Sequence, residues 1–167
     1  AVNVGGLNDL SELENICDLS VRALEQIIDY QDYPVKAAEV STKKRRSLGI
    51  GYIGLAHYLA KNGVKYSDPK AWDLVDRLTE AFQYNLLRAS CNIAMEKGKC
   101  EGFERTKYAD GLLPIDHYKK DVDKIVPHKQ RMAWESLRKD IAKHGLRHST
   151  LSAQMPSESS SVVSNET

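Results

Sequence analysis

The sequence has no long hydrophobic run, few aromatic residues and almost no excess of charge of either sign. No apolar segment approaches the roughly 18 residues that a membrane helix needs, and nothing near the first residue resembles a signal peptide. A net charge of +1 gives no general attraction to nucleic acid or to a membrane surface. These absences predict a soluble, cytoplasmic protein that binds neither membranes nor nucleic acid directly.

Cysteine is also scarce, because only Cys17, Cys91 and Cys100 are present. Three widely spaced cysteines form neither a disulfide framework nor a zinc motif, and no histidine pairs with another ligand at metal-binding spacing. We therefore predict three inert thiols, no metal site and no catalytic acid or nucleophile. His148 lies shortly before a serine-rich segment, where a protonated imidazole would favour an anionic ligand.

Helical periodicity dominates what is present. Asn8 or Asp9 is predicted to cap a first helix, and Asp68 with Pro69 to start the longest one, which ends at Gly98 and turns Trp72 toward the core. The basic cluster at 43–46 is expected to be a solvated surface turn. The predicted helices cover about residues 10–28, 48–62, 69–97, 115–125 and 130–144, the last two separated by Pro127.

Strand patterns are confined to the two ends, at 1–5 and 147–153. Two lone strands cannot form a stable sheet, so we expect their partners to lie in sequence outside this chain, which then is a fragment of a larger α/β protein. The predicted organisation is a strand at 1–7, a mostly helical region at 8–146, a strand at 147–154, and a turn with a helix start at 155–167. The fold class predicted for the chain itself is mainly α.

The run from Gly49 to Gly54 fits the Gly-x-Gly-x-x-Gly pattern of dinucleotide-binding proteins. The segment before it is polar and basic, whereas the motif requires an apolar strand there. We predict instead that these glycines allow another part of the backbone to approach closely. The alternative of a nicotinamide-dependent oxidoreductase rests on this run alone and would require a strand before it.

The most informative segment is the serine turn, which we define as Pro156–Ser160. A turn that enters a helix presents unpaired N–H groups and a partial positive charge, and serines add hydroxyl donors. Two interpretations are open: Ser157 or Ser159 caps a helix with Glu158 in its first turn, or the turn binds a phosphate group. The candidate binding residues are Pro156, Ser157, Glu158, Ser159 and Ser160, although the carboxylate of Glu158 would repel an anion.

Several runs, taken in order over nearly the whole chain, resemble the large, catalytic subunit of class I ribonucleotide reductase. The matching runs are Asn3-Val4-Gly5, Leu7-Asn8-Asp9-Leu10, Tyr30-Gln31-Asp32-Tyr33-Pro34, Arg45-Arg46-Ser47-Leu48-Gly49-Ile50-Gly51, Tyr58-Leu59-Ala60-Lys61, Leu113-Pro114-Ile115-Asp116, His144-Gly145-Leu146-Arg147, Ser149-Thr150-Leu151-Ser152-Ala153 and Met155-Pro156-Ser157-Glu158-Ser159-Ser160-Ser161.

The resemblance implies a parent with a ten-stranded α/β barrel that reduces ribonucleoside diphosphates to deoxyribonucleotides through a thiyl radical. It implies a radical-generating small subunit, a large-subunit homodimer, ATP and deoxynucleotide effectors, and thioredoxin or glutaredoxin as reductant. It also implies that the serine turn holds the substrate diphosphate. The radical and redox cysteines would lie outside this chain, so the fragment alone is expected to be inactive and to bind no cofactor.

A rival interpretation from another class is a non-enzymatic helical interaction module with a serine-rich tail. It predicts a self-sufficient, cooperatively folded monomer. The reductase interpretation predicts exposed apolar helix faces and unpaired strand edges.

Overall fold

The computed structural model describes residues 1–125 and 129–165 of the chain. Most of the described residues are helical, which confirms the predicted fold class. None of the described helices is both long and apolar enough to cross a membrane. The elements are β1 (Val2–Asn3), α1 (Glu12–Tyr30), α2 (Lys36–Arg45), β2 (Tyr52–Ile53), α3 (Leu55–Lys61), α4 (Pro69–Lys97), α5 (Trp134–His144) and α6 (Glu158–Ser164), with short 3-10 turns at Phe103–Arg105, Pro114–Asp116 and Lys120–Lys124.

The core forms around α4, which packs against α1 on one side and α5 on the other. Apolar residues recur at helical spacing on all three helices, so each helix buries one face. The predicted bounds of α4 are confirmed: Pro69 occupies its first turn and Gly98 follows its last residue. Fully buried side chains of this core include Leu13, Cys17, Val21, Leu78, Leu86, Leu137 and Ile141.

One buried carboxylate ties α4 to the start of α5. Glu80 accepts hydrogen bonds from the N–H groups of Arg131 and Met132 at 2.7 and 3.1 Å, and from the indole N–H of Trp134 at 2.9 Å. Burial alone would raise the pKa of Glu80, but these donors lower it below its usual value. The ionised side chain therefore supplies an acceptor for two backbone N–H groups in the segment just before α5.

The prediction of a helix over 48–62 is wrong for its first half. Helix α3 covers only Leu55–Lys61, and the preceding residues are extended, with Tyr52–Ile53 forming β2 beside β1. Glycine is a poor helix former and Ile50 and Ile53 are β-branched, so neighbouring strands decide the conformation here. A strand partner that we expected outside the chain thus lies within it.

Other differences lie at helix ends and on the surface. Helix α1 begins at Glu12 rather than near Asn8, and Asp68 precedes α4 without a side-chain capping bond. Trp72 remains 43% exposed instead of facing the core. Residues 115–125 form two short 3-10 turns rather than one helix, and helix α5 starts at Trp134 rather than at 130. Pro127 lies outside the described residues.

Helix α2 was not predicted, because it buries none of its residues and so lacks an apolar stripe. Its last turn carries Lys43, Lys44 and Arg45, where positive charge complements the partial negative charge of a helix C-terminus. Arg46 follows in a left-handed conformation with φ of 47° and is only 4% exposed. The prediction that residues 43–46 form a solvated turn is therefore wrong for Arg46.

Two glycines with positive φ provide a test of the close approach between β1 and β2. A Cβ on Gly54 would lie 2.8 Å from Asn3 Oδ1 and 2.9 Å from the backbone N of Gly5, whereas one on Gly63 would meet nothing within 4 Å. Both residues have positive φ, at 77° and 65°. We expect Gly54→Ala to lower the free energy of unfolding by about 1–3 kcal/mol more than Gly63→Ala, because only the first adds overlap. Denaturant unfolding of both variants measures this, and equal losses would contradict it.

Candidate functional site

The site is built on three extended segments that run parallel to each other. On one side, the N–H groups of Val2 and Val4 donate to the carbonyls of Gly51 and Ile53 at 2.8 and 2.9 Å. Strand β1 therefore lies beside the segment 48–53, which contains β2. Because parallel strands end at the same edge of a sheet, the residues that follow them are brought together there.

The third segment, 147–153, lies on the opposite side of 48–53. The N–H of Leu48 donates to the carbonyl of Thr150 at 2.9 Å, and Ile50 forms a parallel bridge with Ser152. The serine turn follows this segment directly, and α3 follows the segment 48–53. Both helix starts, those of α3 and α6, thus belong to the carboxyl edge of the three segments.

Gln154 fixes the chain just before the serine turn. Its side-chain N–H group donates to the carbonyl of Tyr52 at 2.8 Å, and its Oε1 accepts from the N–H of Tyr52 at 3.4 Å. The side chain thereby continues the strand pairing by one further residue. A Cβ on Gly51 would lie 2.5 Å from the carbonyl of Ala153 and 2.9 Å from Met155 Sδ, so glycine is needed at position 51 for this approach.

Within the serine turn, the backbone enters the short helix α6 with Ser157 at the N-cap position. Ser157 makes no side-chain capping bond, although Glu158 does lie in the first turn. Pro156, Glu158, Ser159 and Ser160 are exposed, and Ser157 is half-buried. The capping interpretation is therefore right about the position of Ser157 and wrong about its hydrogen bond.

The hydroxyl groups of the segment fall into two sets. Ser161 donates to the carbonyl of Glu158 at 2.7 Å, and Ser164 donates to that of Ser160 at 3.0 Å, so both are used internally. Within residues 1–125 and 129–165, no hydrogen bond engages the hydroxyls of Ser157, Ser159 or Ser160. The first N–H groups of any α-helix also lack acceptors within the helix. The turn thus presents donors to solvent.

The start of the third segment is held by the buried carboxylate of Glu25, on α1. Its Oε2 accepts from Arg46 Nε at 2.7 Å and from His148 Nε2 at 3.0 Å, and its Oε1 accepts from Arg147 Nε at 2.8 Å. Burial alone would raise the pKa of Glu25, but these three donors outweigh it and lower the pKa to about 2. We call Glu25, Arg46, Arg147 and His148 the Glu25 cluster.

His148 is neutral in this cluster. The two guanidinium groups are already balanced by two carboxylates, because Arg46 also binds Asp29 with both terminal nitrogens at 3.0 and 2.8 Å. Ser90 Oγ accepts the backbone N–H of His148 at 3.2 Å and lies 2.9 Å from His148 Nδ1. This arrangement suits the tautomer in which Nε2 carries the proton and donates to Glu25. Burial lowers the pKa of His148 below its usual 6.5.

The expectation that a protonated His148 favours an anionic ligand is therefore wrong. The ring is fully buried and faces Glu25 and Ser90, and its lowered pKa keeps it uncharged near neutral pH. Its role is structural, because it helps to place the segment that leads to the serine turn.

Known proteins match this chain over its full length. Residues 2–167 match the model of the ribonucleotide reductase barrel domain. The chain belongs to this family. It is 58% identical over its full length to ribonucleoside-diphosphate reductase subunit alpha of Haemophilus influenzae, of which it covers 22%. It is 54% identical to subunit alpha of reductase 1 of Escherichia coli, with 84% of the chain and 18% of the relative aligned, and 46% identical to that of phage T4, with 95% and 21% aligned.

The chain thus spans about a fifth of the length of these reductase relatives. Membership of the reductase family argues against the helical module without an enzymatic parent. The nicotinamide alternative also fails on geometry. The dinucleotide motif needs its first glycine where the strand ends, whereas Gly49 and Gly51 lie inside the extended segment and only Gly54 lies at the turn into α3. The predicted close backbone approach is confirmed at Gly51 and Gly54.

The three cysteines of this reductase-family chain are not part of the serine turn. Cys17, Cys91 and Cys100 are buried and free. Burial raises the pKa of Cys17 to about 12 and that of Cys91 to about 11, and it also raises that of Cys100. Thiols that stay protonated are poor nucleophiles, which is consistent with the predicted inert role. Within the described residues, no group of three or more His, Cys, Asp or Glu side chains is placed to hold a metal ion.

Sequence reasoning missed Glu25, Asp29, Ser90 and Gln154. A signal for Glu25 was present, because it continues the four-residue spacing of Leu13, Cys17 and Val21 on the buried face of α1. A carboxylate within an apolar stripe requires a buried partner. The other three residues give no such signal, since their partners are distant in sequence.

The Glu25 cluster predicts a pH dependence of stability. In the unfolded chain His148 titrates near its ordinary pKa of 6.5, whereas its folded pKa is lower. Between these values the unfolded state binds more protons, so stability falls as the pH decreases through about 6.5. From pH 7 to pH 5 we expect the wild type to lose about 1–2 kcal/mol more than His148→Asn.

Denaturant unfolding at several pH values, kept above pH 5 to avoid the titration of Glu25, measures this difference. His57→Asn is the matched control, because His57 is exposed on α3. A wild-type profile that coincides with that of His148→Asn would show that His148 is not held neutral by burial.

Proposed function

We propose that this chain is part of the large subunit of a ribonucleoside-diphosphate reductase and that its serine turn binds the diphosphate group of the substrate. The relatives named above are reductase alpha subunits, which supports the first part. The second part concerns Pro156, Ser157, Glu158, Ser159 and Ser160, and it rests on the geometry of this segment.

One observation carries the proposal. Among the residues that the structure describes, no hydrogen bond engages the hydroxyls of Ser157, Ser159 and Ser160, which lie where the chain leaves the carboxyl edge of the parallel segments. In open α/β sheets and in α/β barrels, ligands bind at this edge. The unpaired N–H groups at the start of α6 add further donors and a partial positive charge.

The serine turn contributes to the reaction by positioning. Hydrogen bonds from N–H and hydroxyl groups to an ionised diphosphate are stronger than those between neutral groups. A substrate held at its diphosphate keeps its ribose in one place, so that reaction with a catalytic group becomes effectively unimolecular. Gln154 supports this role because it fixes the chain immediately before the turn. The carboxylate of Glu158 takes no part, since it would repel the diphosphate.

The wider features of the parent protein belong to the same proposal. They are a ten-stranded α/β barrel, a thiyl-radical reaction initiated by a small subunit, a homodimer of large subunits and regulation by ATP and deoxynucleotides. The proposal also includes reduction of the parent enzyme by thioredoxin or glutaredoxin and its location in the cytoplasm. The radical and redox cysteines would come from sequence outside this chain, because Cys17, Cys91 and Cys100 are buried and burial raises their pKa values.

Removal of two exposed hydroxyls tests the proposal in the full-length reductase. We expect Ser159→Ala/Ser160→Ala to weaken the binding of a ribonucleoside diphosphate at least about tenfold, because two hydrogen bonds to a charged group are lost. Equilibrium binding of the nucleotide measures the effect directly, without dependence on the radical step.

Ser164→Ala is the matched control. It removes a hydroxyl from the same helix, but that hydroxyl donates to the carbonyls of Ser160 and Ser161 instead of pointing to a ligand. We expect little change in nucleotide affinity for this variant. Wild-type affinity in the double variant would disprove the role of the serine turn and leave the family assignment untouched.

A further inference from the structure

A cavity with both polar and apolar lining residues lies at the amino edge of the parallel segments, away from the serine turn. Its volume is about 370 Å³. Arg45 and Ser47 line it from the chain that enters the segment 48–53, and Ser149 and Thr150 line it from the start of the third segment. The loop 105–117 forms the remaining wall. Because the segments are parallel, this cavity and the serine turn are at opposite ends of them.

All the charged side chains that line the cavity are positive. Arg45, Arg105 and Lys107 contribute three cations, His117 contributes an imidazole, and none of the lining residues is acidic. Arg45, Arg105 and Lys107 are exposed. Among the described residues, none of these three cations forms an ion pair. Since the whole chain carries a net charge of only +1, this concentration of unneutralised charge is local.

Three acidic side chains near the cavity are paired with other cations, and a fourth, Asp110 of the same loop, does not line the cavity. Glu101 lies 3.5 Å from Lys44, and Glu104 binds Lys99. Asp116 Oδ2 lies 2.8 Å from a terminal nitrogen of Arg138, and it also accepts the N–H of Leu113 at 2.7 Å. The three paired carboxylates therefore do not neutralise the cations that line the cavity.

Hydroxyl groups lie among the cations. Ser47 Oγ and Ser149 Oγ are 2.9 Å apart, so one of them donates to the other and the acceptor of the pair keeps a free proton to donate. Thr106 and Thr150 also line the cavity, although the hydroxyl of Thr106 donates to the carbonyl of Phe103 at 2.7 Å. A site with guanidinium groups, an ammonium group and hydroxyls matches the acceptor oxygens of a phosphate group.

The backbone around the cavity is fixed by hydrogen bonds between distant segments. The N–H of Gly102 donates to the carbonyl of Lys44 at 2.9 Å, and the N–H of Ser149 donates to that of Arg45 at 3.0 Å. Across the loop, the N–H of Leu112 donates to the carbonyl of Lys107 at 3.0 Å. The three parts of the chain that form the wall are therefore held together before any ligand arrives, which reduces the entropic cost of binding.

We propose that this cavity is a binding site for a phosphate-bearing anion, either free pyrophosphate or the diphosphate of a nucleotide. Guanidinium groups bind phosphate with paired N–H donors, and the lysine adds a point charge. The site is separate from the proposed substrate site, because it shares no residue with the serine turn and lies at the other edge of the segments.

Hydrogen–deuterium exchange of the full-length protein tests the proposal with a local readout. Addition of pyrophosphate is expected to slow exchange in peptides covering 102–113 and 147–150. Ser159→Ala/Ser160→Ala should keep this protection, since it alters only the serine turn. Arg105→Gln/Lys107→Gln should raise the pyrophosphate concentration for half-maximal protection at least about tenfold, because two charged donors are lost.

Lys65→Gln/Lys139→Gln is the matched control, as it removes two exposed cations that do not line the cavity. We expect it to change the half-maximal concentration less than about twofold, the size of a general screening effect. Half-protection at similar concentrations of pyrophosphate and a nucleoside diphosphate assigns recognition to the phosphates alone. Tighter protection by the nucleotide assigns the nucleotide as the ligand.

Three results would overturn the proposal. The first is no protection of these peptides in the wild type at any pyrophosphate concentration that is tested. The second is loss of protection in Ser159→Ala/Ser160→Ala, which would place the effect at the serine turn. The third is equal weakening in the cavity variant and in the Lys65/Lys139 control, which would show only general electrostatics.

Discussion

The structure depends on the buried carboxylate of Glu25, where a helix, a helix end and a strand start meet. Glu25 belongs to α1, Arg46 directly follows α2, and Arg147 and His148 begin the third segment. Burying these charges is costly unless every donor and acceptor is paired. The three donors on Glu25, the bidentate contact of Arg46 with Asp29, and the bonds of Ser90 to His148 meet that requirement. This arrangement of α1, the end of α2 and the third segment is therefore strongly preferred over arrangements in which a buried charge lacks a partner.

This constraint gives the parallel segments two chemically different edges. At the amino edge, residues next to the Glu25 cluster line a cavity with unneutralised cations, and at the carboxyl edge the serine turn presents neutral donors. The same backbone register fixes both places, because Leu48, Ile50 and Ala153 take part in hydrogen bonds between the segments. A shift of one segment would displace the two edges together. The affinities of the two proposed anion sites, which share no residue, would then be linked through the sheet.

Sequence patterns were sufficient for the long helices and insufficient for the sheet. Helix α4 has a sustained apolar stripe with Pro69 and Gly98 at its ends, so local rules determine it. Strands β1 and β2 are two residues long, and their pairing joins residues that lie 50 apart in the chain. The segment 48–53 resembles a helix locally because Ile50 and Ile53 are three residues apart, and only its neighbours on both sides make it extended. The composition of the serine turn identified it in the sequence. That no hydrogen bond within the described residues engages its hydroxyls could be learned only from the structure.

The position of His148 in the fold differs from what its place in the sequence suggested. Proximity in sequence suggested that this residue contacts a ligand, whereas its ring points away from the turn into the Glu25 cluster. A neutral imidazole there accepts from Ser90 and donates to Glu25, which leaves no unpaired polar atom. A charged imidazole would add a third cation to a cluster of two carboxylates, of which Glu25 is buried and Asp29 is exposed. Burial therefore disfavours charge at His148, and the proposed binding of diphosphate draws on no charge from this residue.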